Sequence, residues 1–162
     1  MNREEKIENN KIKEKDMGSL VEVLKDVSKR PAVIADCEQM LEAEVADKRG
    51  VSGMGVKAAF KLVKKFKPGM IRLTLDDMLD ELAEKVDPFW QECQDSGADA
   101  GQFFQRKKVD VANALLGITD VRMERSPNRG IKKAYSSLRP KAVEYIGQAM
   151  PRFSAVIKKH AS

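Results

Sequence analysis

Histidine is nearly absent from this chain: His160, close to the C-terminus, is the only one in 162 residues. A Ser-His-Asp or Cys-His mechanism would rest on that one side chain, where chains usually fray, and so would any histidine-bearing zinc site. Cysteine is almost as scarce. Cys37 and Cys93 are far apart and each lies inside an apolar pattern, so a four-cysteine site is impossible and two reduced core thiols are expected. Long apolar runs are missing as well, with nothing near the roughly 18 residues that a spanning helix needs. The opening MNREEKIENNKIKEKD has no apolar stretch of the kind a secretory signal carries, so the expected location is cytoplasmic. The glycine-rich segment lacks the Gly-Lys-Ser/Thr of a P-loop, and nothing before Gly50 reads as a strand that would support a dinucleotide fingerprint.

What is present is a helix-former's composition, 42% hydrophobic and 34% charged, too apolar for a disordered chain. A chain of this length buries about 70% of its unfolded surface without disulfides or metal. Residues 1–18 form an expected charged, flexible tail, and residues 19–160 a single all-helical domain. Ser19 with Glu22 reads as a capping box before a first helix that runs to about Lys29. Pro31 opens a second, with Ile34, Cys37, Leu41 and Val45 on its inner face. A third follows Ser52, and beyond Pro68-Gly69 the clearest amphipathic run places Ile71, Leu75, Met78, Leu79, Leu82 and Val86 at three- and four-residue spacing. Asp87-Pro88 is expected to restart the chain as a short helix with Phe89, Trp90 and Cys93. Asp99 is expected to cap a long helix with Phe104, Val111, Leu115 and Ile118 inward. Ser126-Pro127, Pro140 and Pro151 each begin another helix. The expectation is a compact all-α domain of eight or nine helices.

Charge is laid out in blocks. Residues 48–75 hold eight basic side chains and no acid, residues 76–99 nine acids against Lys85, and residues 125–162 nine basic side chains against Glu144. The net charge of +5 therefore covers segments of alternating sign. Such blocks either complement one another between neighbouring helices or offer a basic face to a polyanion. In the acid block Asp76, Asp77, Asp80 and Glu84 are close on one helix, opposite Leu75, Leu79 and Leu82. A solvated stripe is the plain reading, and a carboxylate-based, metal-dependent enzyme the functional one. Trp90 reads as core or as an aromatic anchor. The segment SPNRGIKKAY, with Arg125, Arg129, Lys132 and Lys133 around its turn, reads either as ordinary cationic helix ends or as an anion site.

The segment GVSGMGVKAAFKLVKKFKPG, residues 50–69, is the most specific. Its helix is expected to turn Val56, Ala59, Phe60, Leu62, Val63 and Phe66 to the core and Lys57, Lys61, Lys64 and Lys65 to water. Val51, Gly53, Met54, Gly55, Ala59 and Leu62 resemble the helix-hairpin-helix motif of nucleic-acid-binding proteins, with Ser52 where that family often has proline. The resemblance implies a turn whose backbone N–H groups grip a phosphate, with Gly53, Gly55 and Lys57 as contacts. A wider resemblance runs from about Ser19 to His160. KRPAVIADCEQMLEAEVADKRGVSG, KPG, DPFWQEC, VANALLGITDVR and KKAYSSLRPKA are similar to an uncharacterised family of small bacterial helical proteins, which implies no activity, ligand or catalytic residue.

The function expected from these residues is a non-enzymatic cytosolic binding or interaction module, monomeric or weakly oligomeric. It has no membrane span and no cofactor, and it is expected to use Gly53, Gly55, Lys57, Lys61, Lys64 and Lys65 toward a nucleic acid or an acidic protein partner. Sequence-independent nucleic-acid binding and a carboxylate-based enzyme are the alternatives.

Overall fold

A computed structural model of the chain describes residues 2–8 and 18–161, apart from the side chain of Phe66. Of the expected N-terminal tail, residues 1 and 9–17 lie outside the described residues, and residues 3–8 form a short helix, α1. Seven more helices follow: α2 (Leu20–Lys25), α3 (Arg30–Asp47), α4 (Gly50–Phe66), α5 (Met70–Ser96), α6 (Ala100–Arg106), α7 (Lys108–Arg125) and α8 (Arg129–Ala161). There is no strand among the described residues. The architecture is all-α, as the spacing of apolar residues predicts.

Several helix ends differ from the sequence reading. Ser19 makes no side-chain cap; the first N–H of α2 is taken instead by Asp87 Oδ1 of α5, 2.6 Å from Leu20 N. The helix then stops at Lys25. The long helix expected after Asp99 is two, divided at Lys107. Asp99 does cap the first of them, its Oδ1 accepting from Gln102 N at 3.0 Å.

The prolines break less than expected. Pro88 lies inside α5, and Pro140 and Pro151 lie inside α8. Proline in a helix interior removes one backbone bond and costs roughly 3 kcal/mol. In α5 the buried residues Leu79, Ala83, Val86, Trp90 and Cys93 form one stripe at four- and three-residue steps that passes straight through Pro88. Burying large side chains of this kind stabilises by roughly 1.5–3 kcal/mol each, which outweighs the proline. All three prolines sit on exposed positions.

The long α5 is the spine. Its first half joins Leu24 of α2 and Val33 and Ile34 of α3 through Leu79 and Ala83. Its second half joins α6, α7 and α8 in a cluster of Val86, Trp90, Cys93, Phe103, Phe104, Val111, Met150 and Ile157. Phe104 meets Phe103 and Phe153 edge to face, with centroids 5.7 and 5.8 Å away. Trp90 is buried, and its indole Nε1–H donates to the Gly18 carbonyl at 2.7 Å. The core is thus two clusters joined along one helix.

Candidate functional site

The basic segment and the acid block are the two surfaces that the charge pattern singles out. Helix α4 opens at Gly50, which takes φ +73°, a conformation that glycine adopts without strain. Gly53 and Gly55 therefore stand inside the first turns of the helix, and the connection from α3 is Lys48 and Arg49 alone. The N–H groups free of helix bonding belong to Gly50 through Gly53. Gly53 is buried, and a Cβ added to it would lie 2.8 Å from the carbonyl carbon of Lys48, so it is the point of closest approach between α4 and the preceding turn. Lys48 is buried as well: its Nζ reaches Gln148 Oε1 at 3.0 Å and Glu44 at 3.4 Å, and lies 5.0 Å from the centre of the Tyr145 ring.

The rotation of α4 about its axis differs from the expected one. Val56 and Phe60 are half-buried, but Ala59, Leu62 and Val63, expected inward, are exposed. Phe66's side chain lies outside the described residues. Lys57 is half-buried, on the inner flank, while Lys61, Lys64 and Lys65 are exposed. Lys64 pairs with Glu42 of α3, and its Nζ lies 5.8 Å from the centre of the Phe60 ring. Gly55 faces open space. The six residues singled out in the sequence are thus not one surface: Gly53 and Lys57 turn toward the body of the protein, Lys64 reaches across to α3, and Gly55, Lys61 and Lys65 are exposed.

The acid block is tied to arginines rather than to the lysines of α4. Arg30 of α3 reaches Asp76 at 2.7 Å and Asp80 at 2.9 Å. On the other flank Arg122 of α7 holds Asp77 at 2.6 Å and also pairs with Glu81. Asp76 and Asp77 therefore point to different helices, and no group of three or more metal-ligating side chains gathers among the described residues. These pairs act chiefly as exposed interhelical links, each worth about 0–1 kcal/mol.

The feature that the charge pattern does not announce lies between the two core clusters. A half-open cavity of about 250 Å³, lined almost wholly by apolar atoms, is bounded by Leu24 of α2, Val33 of α3, Leu79 and Ala83 of α5, and Met150 and Ile157 of α8. Its titratable wall residues are Cys37 and His160. Burial pushes the Cys37 thiol up to about 11, with the neighbouring Asp36 charge acting in the same sense. His160 is held in the last turn of α8, its Nε2 2.7 Å from Asp36 Oδ2, and Lys159 Nζ reaches the same oxygen at 2.7 Å. A reactive thiolate requires a lowered pKa and a cationic neighbour. Here the thiol is pushed the other way, and the ring nitrogen described is committed to a carboxylate. The sequence reading placed Cys37, Leu75, Leu79, Leu82 and Val86 on inner helix faces, and it left His160 in a frayed end. A cavity-lining residue and a core residue carry the same periodic signal, so only packing separates them.

An all-α domain whose core is parted by an apolar cavity is the class that the fold and this site define. The chain belongs to the family of unknown function DUF6918, whose model matches residues 20–161. No match was found among curated proteins or among solved structures.

Proposed function

We propose that this chain is a non-enzymatic binding module and that its ligand is an unbranched, acyl-type apolar chain held in the cavity between α2, α3, α5 and α8. The observation that carries the reading is the cavity itself: its size, its nearly unbroken apolar lining, and its position between two otherwise well-packed clusters. Its apolar walls, left without partner atoms, forgo part of the packing that a filled core makes. An apolar occupant recovers the lost dispersion contacts. A cavity of about 150 Å³ holds benzene, so this one accommodates roughly ten carbon atoms on the same scale. Aliphatic walls favour a flexible alkyl chain over a flat ring system bearing polar groups, which would leave those groups unpaired. Chemistry on the ligand is disfavoured by the protonated Cys37 and by the Asp36-bound His160.

The test is a titration with decanoate and with decanol, followed by calorimetry and by melting temperature. Saturating ligand is expected to raise the melting temperature, since a hundredfold excess over Kd stabilises by about 2.7 kcal/mol. Ala83→Leu, which fills part of the cavity, is expected to weaken that binding at least tenfold. A flat response to both ligands, or undiminished binding in the filled variant, would overturn the reading.

A further inference from the structure

A second surface on the molecule lies apart from the cavity and stands on helix α4 alone. Of this helix's residues with a described side chain, only Gly53 is buried and Val56, Lys57 and Phe60 are half-buried, while Ser52 accepts from the Tyr145 hydroxyl of α8 at 2.7 Å and Lys64 pairs with Glu42 of α3. Its other face carries Val51, Met54 and Leu62, exposed to 89, 71 and 53%, with Ala58 between them. At about 100° per residue, Met54, Ala58, Val51 and Leu62 fall within an arc of about 80°. Lys61 borders that arc and has no ion-pair partner among the described residues, and Lys64 and Lys65 follow in the last turn. No acid occurs between residues 48 and 75, and the first acids of α5, Asp76, Asp77, Asp80 and Glu81, are drawn toward Arg30 and Arg122.

We propose that the outward face of α4 docks on the surface of an anionic lipid bilayer. A helix lying in the plane of a membrane buries an apolar stripe just below the headgroups while flanking lysines reach the phosphates. Each of these requirements is met by a named residue: Val51, Met54 and Leu62 supply the stripe, and Lys61 the adjoining charge. A nucleic-acid backbone would pair with the lysines but offer nothing to Met54 and Leu62, which is why the exposed apolar arc favours lipid. An apolar arc turned to water in an acid-free segment fits a negatively charged surface with an apolar layer beneath it.

The experiment is flotation of the full chain with vesicles of phosphatidylcholine alone and of phosphatidylcholine containing about one quarter phosphatidylglycerol, with labelled duplex DNA measured in parallel by anisotropy. Binding is expected on the anionic vesicles, to weaken with salt, and to be slight on phosphatidylcholine alone. Lys61→Glu changes the local charge by two and should lower anionic-vesicle partitioning about thirtyfold, at roughly fivefold per charge near such a surface. The double variant Met54→Asn with Leu62→Gln keeps every charge and should lower it at least tenfold. All three positions are exposed, so melting curves should match those of the parent chain. The proposal is overturned if the chain stays off anionic vesicles. It is also overturned if the double variant partitions as the parent does, or if DNA is bound while vesicles are not.

Discussion

Substituting Ala83 by leucine separates a genuine cavity from a well-filled core by the sign of its effect. Ala83 is 7% exposed on the buried stripe of α5 and forms part of the cavity wall. Alanine and leucine are both good helix formers, so the helix itself contributes little to the difference. If the added carbons enter the 250 Å³ space, three buried methylene-sized groups at about 0.8 kcal/mol each stabilise the fold by ~2 kcal/mol. In a close-packed core the same change would overpack and destabilise by about 1–3 kcal/mol. For a chain of this length 1 kcal/mol moves the melting temperature by about 2–4 °C. The expected result is therefore a rise of about 4–8 °C, read by circular dichroism or calorimetry, together with weakened decanoate binding. A fall in melting temperature would refute the cavity as an open space and, with it, the binding function argued from it.

Three further outcomes test other parts of the structure. Gly53→Ala should destabilise by about 1–3 kcal/mol, because its Cβ would press on the backbone of Lys48. Gly55→Ala meets open space in the same helix and should stabilise by about 0.4–1 kcal/mol; equal effects of the two in urea unfolding would contradict the placement of α4. Asp120 is held below the usual carboxylate range, first by the Arg139 guanidinium and then by the Tyr135 hydroxyl. A depressed carboxylate contributes its full stability above the unfolded value of about 3.9, and that contribution is lost as pH falls through the lower folded value. Asp120→Asn should therefore unfold at lower urea than the parent at pH 7, with the gap closing below about pH 4; a gap that persists at pH 2 would show that the charge is not its source. Asp77→Asn, which breaks the exposed link to Arg122, should cost no more than about 1 kcal/mol. The melting temperature is expected to ignore Mn²⁺ in both forms; a Mn²⁺-induced rise that vanishes in Asp77→Asn would restore the carboxylate-site reading.

Local rules made much of this architecture readable in advance. The three- and four-residue spacing from Leu75 to Val86 identifies the first half of α5, and Asp99 marks the start of α6 as its cap. The inward placement of Ile34, Phe104 and Val111 follows from periodicity and is borne out by their burial. These properties belong to one helix at a time, and the chemistry of a few neighbouring residues is enough to set them.

What a single helix cannot contain is its partner. Whether Pro88 and Pro151 break a helix depended on whether buried stripes on both sides outweighed the lost backbone bonds, which is a property of the assembled core. The partners of Asp76, Asp77, Asp80 and Glu81 turned out to be Arg30 and Arg122, distant in sequence and brought near by packing. The rotation of α4, with Met54 and Leu62 outward, followed from the close approach of Gly53 to Lys48 rather than from the helix's own amphipathic pattern. Leu79, Ala83 and Ile157 satisfy the same apolar periodicity whether a neighbouring side chain or a cavity faces them. Composition and period thus determined that this chain is helical and, outside α4, which helix faces turn inward, while the rotation of α4 and the space left between the helices were decided only by how they pack.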